Sequence, residues 1–123
     1  MIGRVTIDVT TAGSDGSAAG NADSPEIRGE ILAVYLDYTD QPATADVTLK
    51  MVSPDQTVLS IGNANTDGWF YPRVAVQDNA GAGVTYDGTN EIYEPHPVHG
   101  KLNLAVAQGD DAGTVRAEIL YRR

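Results

Sequence analysis

Lys101-Leu102-Asn103-Leu104-Ala105-Val106-Ala107-Gln108 runs into the polar turn Gly109-Asp110-Asp111-Ala112-Gly113, and then into Thr114-Val115-Arg116-Ala117-Glu118-Ile119-Leu120-Tyr121-Arg122-Arg123. Leu102, Leu104 and Val106 fall on one face of the first run. Val115, Ala117, Ile119 and Tyr121 fall on one face of the second. This is the period-two alternation of half-buried strands, and the two runs around their turn predict a β-hairpin. The same grammar, a short alternating run and then a Gly/Asn/Asp/Pro break, recurs along nearly the whole chain, with no amphipathic helix between. The sequence therefore predicts an all-β domain: a two-sheet β-sandwich of jelly-roll or Greek-key type with about eight strands.

Working outward, Val5, Ile7 and Val9 alternate with Thr6, Asp8 and Thr10 in a strand with one wet face. Ile31–Tyr38 is the most apolar run. Leu32, Val34, Leu36 and Tyr38 share one face and Ile31, Ala33 and Tyr35 the other, which suits a central or doubly covered strand. Ala45–Val52, Thr57–Ile61 and Arg73–Gln77 read as further strands, with Ser53-Pro54-Asp55 and Gly62–Gly68 as breaks. Val84–Tyr86 and Glu91–Tyr93 read as a small edge hairpin across Asp87-Gly88. Glu94–Gly100 is proline-punctuated, hence an extended edge or crossing loop. Thr11–Ser24, rich in Gly, Ser and Ala, offers little apolar area to set against the entropy of ordering it. It is expected to be a flexible loop whose core could be deleted without loss of stability.

The 123 residues suffice for one domain spanning 1–123 with one core. A formal net charge of −9 argues against nucleic acid and anionic membrane as partners. The chain has no cysteine, which excludes a disulfide framework, a thiolate metal site and a cysteine nucleophile. Met1-Ile2-Gly3-Arg4 enters an alternating strand directly, so neither a cleavable signal nor a membrane anchor is expected.

Few residues carry candidate chemistry. His96 and His99, the only histidines, flank Pro97 at a spacing that could present two imidazoles to a metal, but a zinc site needs a third ligand and only carboxylates such as Glu94 lie near. A rigid turn with histidines at a surface or subunit contact is the expectation, with no metal and no cofactor. Trp69, Phe70 and Tyr71 gather the only Trp and the only Phe beside a tyrosine, ahead of Pro72-Arg73. In a strand, Trp69 and Tyr71 share a face that Phe70 does not, so the cluster serves as core, as an exposed platform, or as both. Arg73 is placed to pair with a carboxylate. Asp15, Asn21 and Asp23 lack the ligand ladder of an EF-hand. Asp110-Asp111 are adjacent turn carboxylates without the fixed separation that glycoside hydrolysis needs. There is no nucleophile elbow and no phosphate-cradling glycine loop followed by lysine, so no catalytic residue is assigned and no enzymatic activity is expected.

The stretch Asn65-Thr66-Asp67-Gly68-Trp69-Phe70-Tyr71-Pro72-Arg73-Val74-Ala75-Val76, with Thr85-Tyr86-Asp87-Gly88-Thr89 and Glu94-Pro95-His96-Pro97-Val98, resembles small structural proteins of tailed-bacteriophage virions, over the chain from Ile31 onward. A cysteine-free all-β chain of this size is most similar among them to capsid cement, or decoration, proteins. The resemblance implies a non-catalytic protein that binds and stabilises an assembled shell, with the major capsid protein as partner and a homotrimer as its own assembly. It implies a location on the capsid exterior after assembly in a host cytoplasm. The interface candidates are then Trp69, Phe70, Tyr71, Arg73, His96 and His99. Two alternatives stay open: a carbohydrate-binding module on a virion surface, stacking sugars on Trp69 and Tyr71, and a head-completion or tail component.

Overall fold

The computed structural model describes residues 1–123. Ten strands follow one another: β1 (Ile2–Thr10), β2 (Ala18–Asp23), β3 (Ile27–Thr39), β4 (Asp46–Met51), β5 (Gln56–Ile61), β6 (Gly68–Phe70), β7 (Arg73–Ala75), β8 (Tyr93–Gly100), β9 (Leu102–Gly109) and β10 (Thr114–Arg122). No helix is present. β1 pairs with β10, β2 with β9, β3 with β8 and β4 with β5, all antiparallel, so the chain is a nested ribbon with its first strand against its last. Folded over itself, the ribbon forms one sheet in the order β1-β10-β3-β8-β7, with β6 added beside β3, and a second in the order β2-β9-β4-β5. That is the strand order of a jelly roll, as the alternation predicts in outline. The short β6 and β7 are insertions between β5 and β8.

The faces assigned from alternation are the buried ones. Ile7, Val9, Val115, Ala117 and Ile119 from the larger sheet meet Val47, Leu49, Leu102, Leu104 and Val106 from the smaller in a core cluster of 17 buried residues. Each fully buried aliphatic side chain contributes roughly 1.5–3 kcal/mol, so the two inner faces account for the cohesion of the sandwich.

The structure departs from the sequence reading at five places. The closing runs do not pair as a hairpin: β9 lies between β2 and β4 in the smaller sheet and β10 between β1 and β3 in the larger, so the turn at Gly109–Gly113 crosses from one sheet to the other, and alternation, which marks a buried face, does not say which strand lies alongside. In β3 the register against β10 shifts beside Leu120/Tyr121, where Leu120 faces Ala33 and Tyr121 faces Ile31. The extra residue is Leu32, and this bulge reverses the face: Ile31 turns into the core with Val34 and Leu36, rather than opposite them. The chain closes tightly beside it. Gly29 has φ +136°, and a Cβ there would strike the Arg122 carbonyl, so the position requires glycine.

Thr11–Ser24 is not a loop throughout. Ala18–Asp23 forms β2 against β9, with Ala18 fully buried. The signal that composition lacks comes from a distant turn. Asp110 Oδ1 accepts from the Gly16 amide, Asp111 Oδ1 accepts from Gly13, and Asp15 Oδ1 accepts from the Asp111 amide. Beneath them, buried Thr11 donates its hydroxyl to the Asp110 carbonyl at 2.6 Å and accepts from Gln41 Nε2 at 3.0 Å. The turn carboxylates thus order the segment instead of merely solvating their own turn.

Glu94–Gly100 lies within strand β8, which uses Tyr93–Pro95 against β7 and His96–Gly100 against β3. The expected hairpin of Val84–Tyr86 with Glu91–Tyr93 reduces to a single bridge, Thr85 with Glu91. It sits in an excursion held by a ring of three backbone bonds, Val76 to Ile92, Ile92 to Val84 and Val84 to Val76.

Candidate functional site

β6 lies antiparallel to β3, with Val34 opposite Phe70 and Tyr35 opposite Trp69. Alternation does the rest. Phe70 follows Val34 inward and packs on the core, whereas Trp69 and Tyr35 share the outer face. Their ring centroids are 5.1 Å apart at an interplanar angle of 54°, a tilted aromatic pair within the favourable range. Trp69 is 49% exposed and Tyr71, just past the strand, 60%. Across the larger sheet the same row continues from Tyr35 to Glu118 of β10 and Thr6 of β1, and the next row places Asp37 beside Arg116 and Asp8. The outer face therefore carries an aromatic pair at one side and carboxylates in register beside it.

Arg73 does not pair with a carboxylate. Its Nη1 donates to the Leu32 carbonyl at 3.1 Å and to the Pro72 carbonyl at 2.8 Å, tying β7 to the bulge of β3. His96 lies opposite Ile31, is 3% exposed, and has Nδ1 2.8 Å from the Pro97 carbonyl. His99, three residues on, is exposed on the opposite face. His96 is thus unavailable as a surface contact and Phe70 is half-buried against the core, because the strand period turns both inward. Trp69, Tyr71, Arg73 and His99 remain on the surface. Tyr35, which props Trp69, is a site residue that local sequence does not mark. Its only signal is an aromatic on the second face of an apolar strand, and the cross-strand register that makes it a partner is not written in local sequence.

Beyond β7 the excursion is braced by two carboxylates. Asp78 Oδ1 accepts from the amides of Ala80 and Ala82, and Asp87 Oδ1 from those of Thr89 and Asn90. Backbone donation to the charged form, foremost from Ala82 and from Asn90, holds both carboxyls below their ordinary range. The excursion and its flank leave Tyr86, Ile92 and Tyr93 exposed. On the outer face, the hydrogen bond and charge of Asp8 push the Arg116 guanidinium upward.

The largest surface depression, of 630 Å³, is an open trough lined by Gln56, Val74, Ala75, Gln77, Asp78, Glu94 and Pro97. No three His, Asp or Glu side chains come together to hold a metal ion. No helix is long and apolar enough to cross a membrane.

No protein-family model matches the chain, and no curated protein matches it. Solved structures superpose on it only loosely. A mutant of a family 29 carbohydrate-binding module superposes over 98% of this chain and 81% of its own, at 10% identity and a TM-score of 0.41. A carbohydrate-binding module bound to β-1,4-galactotriose covers 96% of this chain and 70% of its own, at 13% identity and a TM-score of 0.39. The virus-like particle of extra small virus, from the giant freshwater prawn Macrobrachium rosenbergii, matches 98% and 78%, at 14% identity and a TM-score of 0.33. Likeness at this level does not bear on function.

Proposed function

We propose that this chain is a non-catalytic binding protein of a virion, of the capsid-decoration type, which seats on the exterior of an assembled shell and contacts the major capsid protein through its outer aromatic flank. The observation that carries the reading is the exposed, cavity-free aromatic surface of Trp69 and Tyr71 on the Tyr35 side of the larger sheet. Large rings left in water on an open sheet suit a broad interface better than an enclosed ligand site. Two further points support it. The three stretches that resemble tailed-phage structural proteins come together in space, on β6, β7, the excursion after β7, and β8. The jelly roll is also a common architecture of viral capsid domains, which is support by analogy.

The test uses particles assembled without the protein. Added chain should co-sediment with them, and a Trp69→Ala/Tyr71→Ala variant with an unchanged circular dichroism spectrum should bind at least about tenfold more weakly, as expected for loss of aromatic anchors. Absence of co-sedimentation would remove the decoration reading.

A second reading has its own observation. Trp69 presents a ring face supported by Tyr35, with the carboxylates of Glu118 and Asp37 in register on the same face, a combination suited to stacking on a sugar and accepting from its hydroxyls. Binding on a glycan array that disappears in Trp69→Ala, with no affinity for shells, would favour this reading.

A further inference from the structure

The two sheets have five edge strands, and four of them are blunted. β6 and β7 have only Gly68–Phe70 and Arg73–Ala75, β5 has a register shift against β4, and β2 is short with its own shift against β9. β1 is different. It runs unbroken from Ile2 to Thr10 in continuous register with β10, without proline and without a bulge. Thr11 N donates to the Gly113 carbonyl and Arg123 N to the Met1 carbonyl, so the odd-numbered residues of β1 bond toward β10. The N–H and C=O groups of Ile2, Arg4, Thr6, Asp8 and Thr10 then point away from the sheet. At Thr10 the outward carbonyl is covered, since a Cβ on Gly20 would lie 2.5 Å from it. From Ile2 to Asp8 β1 has no second strand beside it. Unpaired edges of this length invite another strand.

The sequence of that edge is complementary to itself. In an antiparallel pairing centred on Thr6, Thr6 meets Thr6, Arg4 meets Asp8, and Val5 meets Ile7. The outward-pointing groups of Arg4, Thr6 and Asp8 fall into hydrogen-bonded pairs, because even residues oppose even residues, and the covered Thr10 ends the paired stretch. Arg4 is exposed and has no ion pair within its own chain. Asp8 uses Oδ1 for Arg116 at 2.7 Å, leaving its second carboxylate oxygen for an arginine across the edge. On the inner side, half-buried Val5 would be covered by Ile7 of the second copy. A charge-matched edge selects for itself, where a like-charged one would repel.

We infer that β1 is a self-association edge. Two copies pair antiparallel about Thr6 to form a two-fold dimer whose larger sheets become continuous, with Arg4 of each copy against Asp8 of the other. This inference is independent of the virion reading, and it names a two-fold contact where the resemblance implies a three-fold one.

Sedimentation equilibrium should give twice the chain mass, dissociating on dilution. Arg4→Glu alone and Asp8→Lys alone each place like charges at both cross-strand pairs of a homodimer, and should weaken it at least about tenfold. Mixed in equal amounts, the two variants oppose Glu to Lys and Asp to Arg, and the dimer should return as a heterodimer. Thr6→Pro, which removes no bond to β10, should give a monomer with an unchanged circular dichroism spectrum. A monomer at all concentrations, a trimer, a dimer indifferent to these substitutions, or variants that fail to rescue each other would overturn the inference.

Discussion

The hydroxyl of Tyr38 is buried at the end of β3 and has no hydrogen-bond partner in the protein, although the ring around it belongs to the core. The backbone amide of the same residue donates to Asp67 Oδ1 at 2.8 Å, which brings a carboxylate close to the ring. A buried hydroxyl without a partner costs about 1–3 kcal/mol of desolvation, whereas its removal leaves the ring packing intact. Tyr38→Phe is therefore expected to raise stability by about 1 kcal/mol, measured by urea denaturation. Burial, with the charge of Asp67 second, pushes the Tyr38 phenol above its ordinary 10.0. Because the folded value is raised, the contribution of this group is intact below pH 10 and is lost as pH rises through the folded value. The wild type should lose stability in that alkaline window more steeply than Tyr38→Phe. Equal slopes would contradict the assignment.

At the scale of the element, β2 shows where alternation stops being informative. Along most of β1, β4, β9 and β10 an apolar side chain stands at every second position, and for them the buried face is legible because period two and burial coincide. β2 offers Ala18 and Ala22 instead, and its order comes from Asp110, Asp111 and the open side of β9, all far along the chain. Deletion of Ser14–Ala22 would take away Ala18 and expose β9 as an edge. Its thermal midpoint is expected to fall by at least about 10 °C, with new tendency to aggregate, where composition alone predicts no change. An unchanged midpoint would restore the flexible-loop reading. The bulge at Leu32 was equally invisible. It depends on the register with β10, and the Leu32 carbonyl it leaves is taken up by Arg73, a residue that sequence suggested for a surface ion pair. The exposed half of the aromatic site was legible, since Trp69 and Tyr71 alternate with Phe70. Its support by Tyr35 was not, for the same reason of register.

For the whole molecule, nesting governs how the fold is reached. β1 at Ile2–Thr10 must find β10 at Thr114–Arg122, and β2 must find β9, before the core between the sheets can close. Every one of these pairings incurs loop-closure entropy ahead of its reward, which places such topologies among slow folders, on a scale of milliseconds to seconds. A net charge of −9 adds repulsion that acts on the collapsed chain while its contacts are incomplete. Refolding followed by Trp69 fluorescence in a stopped-flow instrument should therefore be slower than about a millisecond, and added salt should accelerate it by screening that repulsion. The short pair β4–β5, closed by the turn around Ser53-Pro54-Asp55, is the one local hairpin of the smaller sheet. Substitutions there should slow folding if local pairing precedes the nested strands, whereas substitutions in β1 should mainly speed unfolding. Sub-millisecond refolding insensitive to salt would show that long-range pairing does not limit the rate.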